Sequence, residues 1–274
     1  LNYPAIKISN ESFSPVFAAF VRSSAASLLG LLYCRFIGQR FFHRGPVLWH
    51  GAVVGFLFGA EFLFLYLGLR YTDAARAVLL VYLSPFVVAL GAHIFLKERL
   101  DGMKTVGLLL AFFGVWLVFA GKPRTYGPSM LFGDVCEIVA AVLWAATTLY
   151  IKRFLALKVH PVNTFLYQLI FSIPVLFFGA LVLEPVWVRE VTGLAILSLL
   201  VYQSVIIAFL SYLAWFWLIH SYPVARLSAF TFLTPVFGVL SGVFLLGESM
   251  TLLLAAALAA VSAGIYLANY KRAA

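Results

Sequence analysis

Charged residues are scarce in this sequence: Asp, Glu, Lys and Arg make up 11% of its 274 residues, whereas hydrophobic residues make up 64%. Soluble domains carry about a quarter charged residues and are about half apolar. A water-soluble fold could not bury this much apolar surface, so a soluble globular protein is excluded. Because several windows reach the roughly 20 apolar residues that a spanning helix needs, the composition indicates an integral membrane protein.

Cysteines and the motifs of several enzyme classes are also few or missing. Cys34 and Cys136 are the only cysteines, and both lie in apolar stretches, so neither a disulfide framework nor a metal site is indicated. The sequence contains no GxxxxGK[ST] phosphate loop and no HExxH motif. We therefore expect no cofactor, no metal and no enzymatic activity. The net charge of +9 does not indicate a nucleic-acid partner, because the basic residues lie between apolar segments as topology signals.

Long apolar runs joined by short connections predict an all-α membrane protein. The runs are far longer than the roughly 10-residue alternating segments of a membrane barrel. They predict nine complete spans, at about 13–38, 46–69, 76–96, 103–120, 131–151, 161–183, 191–219, 223–246 and 251–270.

The basic residues of the connections predict the orientation. If the connections alternate sides, one side collects eleven Lys and Arg residues and the other collects six. Arg22 and Arg226 fall within spans and are left out of this count. The positive-inside rule then places the richer side, with the C-terminus, in the cytoplasm. We expect a multi-pass protein of the cell (inner) membrane.

The chain repeats itself at a shift of 150 residues, and an internal period of this kind defines the architecture. The second copy, 128–274, has five spans, whereas the first, 1–121, has four and the stub "LNYPAIK", so the first helix is predicted to be largely missing. Copies with an odd number of spans are inverted, as in many secondary transporters, whose substrate sites lie near the midplane. The shift places Arg76 on Arg226, Pro85 on Pro235, Glu98 on Glu248 and Gly114 on Gly264.

Four segments carry a family resemblance. They are "SPFVVALGAHIFLKE", "TPVFGVLSGVFLLGE", "GDVCEIVAAVLWAATTLYIKR" at 133–153 and "YPVARLSAFTFLTPVFGVLSG" at 222–242. As a set they resemble the EamA-type members of the drug/metabolite transporter superfamily, over nearly the whole chain. The resemblance implies a bundle of ten helices in two inverted five-helix repeats, a central cavity, and export or sometimes uptake of small metabolites.

Charged residues within the spans are candidates for a substrate cavity. Glu61 is an intramembrane carboxylate, which is a functional-site hypothesis by default; it either faces a cavity, with proton coupling as one role, or pairs with an Arg or a hydroxyl. Arg22 either points inward, as the polar Gln168 at a shift of 146 residues suggests, or extends to the interface. Arg76 and Arg226 either anchor at the interface or hold an anionic group.

Other candidates have polar, aromatic or helix-breaking side chains. Pro85 and Pro235 are predicted to kink their spans, either as gating elements or as static bends. Glu98, Glu248 and Asp134 are predicted to lie at helix ends, where they bind unpaired N–H groups. The remaining cavity candidates, each with a packing role as the alternative, are Tyr82, Trp144, Thr148, Tyr202, Gln203, Trp215 and Thr231.

Small residues repeat on one face of the last span of each copy and are helix-packing signals. They are Gly107, Ala111 and Gly114 in the first copy, and Ala256, Ala260 and Gly264 in the second. These faces pack either within one chain or between two chains, so a homodimer is one expectation.

The sequence therefore predicts a secondary transporter. It would export small organic metabolites, such as amino acids or amphipathic drugs, by alternating access through a central cavity. A membrane scaffold or receptor, or an intramembrane enzyme, is the alternative, and solute flux in liposomes separates these classes.

Overall fold

The computed structural model describes residues 8–72, 74–120, 129–237 and 251–270. These residues form helices and no strand, apart from a single β-bridge between Phe13 and Val188. The helices are α1 (Pro15–Phe36), α2 (Pro46–Leu69), α3 (Ala74–Val81), α4 (Ser84–Leu96), α5 (Gly102–Phe119), α6 (Met130–Phe154), α7 (Pro161–Leu183), α8 (Gly193–Ser221), α9 (Val224–Phe230) and α10 (Leu252–Asn269).

Eight spans within the described residues are long and apolar enough to cross a membrane, which confirms an all-α membrane protein. Their bounds lie within a few residues of those predicted from the apolar runs. The ninth predicted span, 223–246, is described only as far as Phe237. Glu248 also lies outside the described residues.

The span from Arg76 to Leu96 is broken near its proline. Helix α3 ends at Val81, four residues before Pro85, and α4 begins at Ser84. A proline has no N–H and its ring clashes with the carbonyl four residues earlier, so the break follows from Pro85. In the second copy, α9 ends at Phe230 and is followed by Thr231. Thr231 lies four residues before Pro235, just as Val81 lies four residues before Pro85. The proline pair therefore interrupts the same span of each repeat.

The described chain divides into two compact units. The first comprises residues 1–66 and 146–221, and the second comprises residues 67–145 and 222–274. Each unit therefore contains parts of both sequence repeats.

Helices α5 and α10 pack closely in the second unit through their small residues. A Cβ atom built on Gly107 would lie 2.3 Å from the backbone nitrogen of Ala268, and one built on Gly264 would lie 2.3 Å from the backbone nitrogen of Ala111. Only hydrogen atoms at these positions allow the two backbones to approach so closely. The predicted face of α5 therefore packs within the chain, whereas on α10 only Gly264 of the predicted face does so: Ala256 is exposed and Ala260 is half-buried.

Helix α8 contains a π-helical segment, Leu197–Ser211, in the first unit. Its hydrogen bonds skip one residue more than those of an α-helix; the Tyr212 N–H, for example, reaches the Ile207 carbonyl. One side-chain hydrogen bond spans the same five residues: the Ser204 hydroxyl donates to the Leu199 carbonyl at 2.7 Å. π-Helical turns are rare and often occur at functional sites. The segment includes two cavity candidates, Tyr202 and Gln203.

A carboxylate caps a distant helix in each unit. In the second unit, Glu98 accepts hydrogen bonds from the Val224 and Ala225 N–H groups at 3.0 and 3.1 Å. In the first, Glu184 accepts from the Val16 and Phe17 N–H groups at 2.7 and 2.9 Å. Both capped helices begin beside a proline, and the two N–H groups that follow it belong to the first turn, where no intrahelical acceptor is available. The sequence had suggested that Glu98 caps the next span; its partner is instead α9.

Replacing Glu98 by alanine should lower the free energy of unfolding by about 1–2 kcal/mol, because two N–H groups at the start of α9 lose their acceptor. A denaturant titration of the purified protein in mixed micelles measures this change. Glu190→Ala, at an exposed position, is the matched control. An unfolding midpoint equal to that of the control would contradict the capping role.

Candidate functional site

Arg22 and Glu61 come together in the first unit. Arg22 is the eighth residue of the 22-residue α1, and Glu61 is the sixteenth of the 24-residue α2. At a rise of 1.5 Å per residue, each lies about 5 Å from the middle of its helix. Two residues predicted separately as cavity candidates therefore lie at similar depth on neighbouring elements, close enough for electrostatic interaction.

The Arg22 side chain is buried, with only 4% of its surface exposed. Its guanidinium carbon lies 4.8 Å from the ring centroid of Phe62, a cation–π contact worth about 2 kcal/mol when desolvated. Its Nε and Nη2 atoms make no hydrogen bond within the described part of the chain. Arg22 therefore does not extend to the interface, and two of its donor groups are available to an acceptor.

Glu61 supplies the opposite charge beside Arg22. Its Oε2 atom is buried and has no hydrogen-bond partner among the described residues. A charged group buried without hydrogen bonds is costly, and the electrostatic interaction with Arg22 offsets part of this cost. The carboxyl of Glu61 and the guanidinium of Arg22 thus lie within electrostatic range of each other without forming a salt bridge, and both keep buried polar atoms that no described residue binds.

Aromatic rings border this charge pair. Phe62 contacts Phe58 at 4.9 Å and Tyr66 at 5.9 Å between ring centroids, and Phe58 contacts Tyr212 at 6.0 Å edge to face. Tyr66 lies within electrostatic range of Arg22. We call Arg22, Glu61 and these four aromatic residues the Arg22 cluster. Its chemistry combines a donor fork, an acceptor and an apolar wall.

Sequence reasoning missed the aromatic members of the cluster. Phe58, Phe62 and Tyr66 follow one another at intervals of four residues, which places them near one another on one face of α2. In a chain with 17% aromatic residues this spacing carries little information by itself.

The other candidates of the first unit lie elsewhere. The buried Gln203 donates to the Ser9 hydroxyl at 2.7 Å. Thr148 is buried on α6, whereas Tyr202 and Trp215 are half-buried on α8. None of these four is among the contacts described for the Arg22 cluster.

In the second unit, Arg76 binds Asp134. The Nε atom of Arg76 lies 2.7 Å from Oδ1 of Asp134, and its Nη2 lies 2.5 Å from Oδ2. The Thr72 hydroxyl also donates to Oδ1, at 2.9 Å. The expectation that Asp134 lies at a helix end is wrong: α6 already begins at Met130, so the carboxylate lies one turn inside the helix and binds side chains instead.

The remaining candidates of the second unit take part in packing or local bonds. Tyr82 is buried and stacks on Phe232 at 5.8 Å. The Thr231 hydroxyl donates to the Ser228 carbonyl at 2.7 Å, beside the break at the end of α9. Trp144 and Arg226 are half-buried.

Comparisons with known proteins are consistent with this architecture. The profile of the EamA-like transporter family matches residues 1–120 and 131–270. An uncharacterized transporter of Archaeoglobus fulgidus is 30% identical, over 99% of this chain and 95% of its own. A probable amino-acid metabolite efflux pump of Escherichia coli is 25% identical, over 97% and 89%. A protein of known crystal structure, 22% identical, superposes with a TM-score of 0.80 over 97% of this chain and 96% of its own, which shows the fold.

Proposed function

We propose, because this chain belongs to the EamA-like transporter family, that this membrane transporter moves zwitterionic metabolites of the amino-acid class and that the Arg22 cluster binds them. The family is one of transporters rather than enzymes, as the sequence predicted. The substrate class, the export direction and the alternating-access mechanism are the content of the proposal.

The observation that carries the proposal is the partly unused pair of buried charges. An α-amino acid presents a carboxylate and an ammonium group on neighbouring atoms. The free Nε and Nη2 atoms of Arg22 form a planar fork that suits a carboxylate. The free Oε2 of Glu61 can accept from the ammonium group. A zwitterion would thereby satisfy both protein charges at once.

The same geometry disfavours amphipathic cations, the other substrate class predicted from the sequence. A cation would find Glu61 and the aromatic faces of Phe62 and Tyr66 attractive. Arg22, however, is fixed over the ring of Phe62, and a second desolvated cation beside it would be repelled. Only a ligand that also carries a negative group avoids this repulsion.

The interrupted spans support alternating access. The breaks before Pro85 and after Phe230 leave short segments without full helical hydrogen bonding, and such segments can absorb backbone rotation. Discontinuous spans in corresponding positions of two repeats are typical of secondary transporters. The excess of basic residues on one side of the membrane places the C-terminus in the cytoplasm in this proposal.

Counterflow of radiolabelled L-phenylalanine into liposomes that contain the full-length protein tests the proposal. The matched competitors are phenethylamine, which lacks the carboxylate, and 3-phenylpropionate, which lacks the amine. Unlabelled phenylalanine should inhibit at least tenfold more strongly than either analogue, because only the zwitterion uses both Arg22 and Glu61. Equal inhibition by all three would contradict zwitterion recognition, and the absence of any flux would favour a scaffold or receptor.

A further inference from the structure

The second unit contains a buried carboxylate that the proposed substrate site does not use. Glu137 lies on α6 and has 0% of its surface exposed. Neither of its carboxyl oxygens has a hydrogen-bond partner in the described ranges. An ionised carboxylate in this state pays a large desolvation cost without compensation. A native protein rarely retains such a group unless the group has a role.

Two glycines, Gly68 and Gly133, allow the end of α2 to lie closely against Glu137 and α6. A Cβ atom on Gly68 would lie 2.5 Å from Oε1 of Glu137, so the carboxyl lies directly against the last turn of α2. A Cβ atom on Gly133 would lie 2.8 Å from the Thr72 nitrogen and 3.0 Å from the Gly68 carbonyl oxygen. The segment 68–72 therefore covers the side chain and separates it from solvent.

Among the described groups that interact with Glu137 or its neighbour Asp134, the donors are occupied and the remaining charge is negative; Arg70, on the covering segment, is exposed. The Arg76 guanidinium and the Thr72 hydroxyl both donate to Asp134, one turn earlier on α6. Asp134 is itself negative and interacts with Glu137 electrostatically. The C-terminal end of α2, which contacts Glu137 through Gly68, carries the negative end of a helix dipole.

We propose that Glu137 is a proton-binding site, in which a proton on one carboxyl oxygen is held beneath segment 68–72. The proton neutralises the Glu137 carboxylate, which no neighbouring hydrogen-bond donor does. Its binding forms one O–H bond and changes no other bond. Because the side chain is fully covered, the proton exchanges with water only when segment 68–72 moves away from α6. A transport cycle that opens this contact is thereby coupled to proton uptake or release; this coupling rests on the proposed transport function.

The titratable and charged neighbours define the alternatives to be tested. Asp134 and Cys136 lie on α6 with Glu137, Arg76 approaches from α3, and the exposed Arg70 and Tyr71 lie on the covering segment 68–72. Asp73 lies outside the described residues. Asp134 differs from Glu137 in accepting four hydrogen bonds from Arg76 and Thr72, so the two carboxyls should be distinguishable by spectroscopy.

Infrared difference spectra of the full-length protein in lipid nanodiscs test proton binding without a substrate. At neutral pH the wild-type protein should show a carboxyl C=O band of a protonated acid that is absent in Glu137→Gln. Glu190→Gln, at an exposed position, should keep the band. If Glu137→Gln does not fold, Glu137→Asp serves as the second variant. It retains a carboxyl group, so the C=O band should remain but at a shifted frequency. A wild-type band that Glu137→Gln leaves unchanged would overturn the proposal.

Flux driven by a pH gradient tests the coupling. In proteoliposomes, the ratio of L-phenylalanine uptake with and without the gradient should fall to one in Glu137→Gln and should stay above one in Glu190→Gln. Loss of the infrared band on addition of Na⁺ would assign the site to a cation and overturn the proton assignment. A lack of phenylalanine flux in every protein would contradict the proposed function alone, since the infrared band decides on Glu137 independently.

Discussion

Replacing Gly264 by alanine should lower the free energy of unfolding by about 2 kcal/mol or more, because overpacking of a close contact costs about 1–3 kcal/mol. The new methyl group would lie 2.3 Å from the Ala111 nitrogen and 2.6 Å from the Gly107 carbonyl oxygen. Both are backbone atoms, which cannot rotate away as a flexible side chain can. Helices α5 and α10 would have to separate along their length, and a denaturant titration in mixed micelles measures the loss.

Gly102→Ala is the matched control, because a Cβ atom there meets nothing within 4 Å. Gly102 is the first residue of α5, so the control substitution lies in the same pair of packed helices as Gly264. In an unstrained helix, alanine is more favourable than glycine by roughly 1 kcal/mol. We therefore expect opposite signs: slight stabilisation at 102 and destabilisation at 264. Equal changes at both positions would contradict the close approach of the two helices.

The spans could be predicted from the sequence because each depends on a long apolar run, which is local information. The break before Pro85 was also predictable, since a proline acts on the carbonyl four residues earlier. The small-residue faces of α5 and α10 were recognised as packing signals, but a helix face does not reveal its partner. Only the fold shows that the face of α5 meets Gly264 of α10 within the second unit, and that the contact face of α10 continues through Ala257 and Val261 rather than Ala256 and Ala260.

The partners of charged residues could not be predicted, because they are distant in sequence. Glu98 binds N–H groups 126 and 127 residues away, and Glu184 binds N–H groups 168 and 167 residues away. The expected cap at Asp134 failed although the span was placed within one residue of its start: α6 begins at Met130, so Asp134 is its fifth residue, and it binds Arg76 and Thr72 instead. Helix ends are the least certain part of a sequence prediction.

Position 97 shows how one residue can satisfy two requirements. In the count of basic residues, Lys97 falls with Arg99 and Lys104 on the richer side, which is the predicted cytoplasmic side, so a positive charge at 97 suits this connection. Lys97 also adopts a left-handed backbone conformation, with φ of 58°, at the end of α4. Glycine takes this conformation without strain, and the 150-residue shift places Gly247 on Lys97. The first copy thus keeps a charged residue where the backbone favours the glycine found in the second.

Arg22→Gln should reduce the apparent affinity for L-phenylalanine on the order of 100-fold. Truncating one partner of a buried, hydrogen-bonded charge pair costs about 2–5 kcal/mol, and each 1.4 kcal/mol corresponds to about a factor of ten in affinity. Arg35→Gln is the matched control, since Arg35 is an exposed residue of the same helix. Inhibition of counterflow by unlabelled ligand measures both variants.

The analogues separate recognition from structural damage. If Arg22 binds the carboxylate, Arg22→Gln should leave the inhibition constant of phenethylamine unchanged or improved, because this ligand has no carboxylate to lose and no longer meets a second cation. Glu61→Gln should show the reverse pattern: it should weaken phenylalanine and spare 3-phenylpropionate. A purely structural role for the pair would weaken all three ligands in parallel, because misfolding does not distinguish the two ends of the substrate. The crossed pattern thus requires that both charges of the cluster contact the ligand.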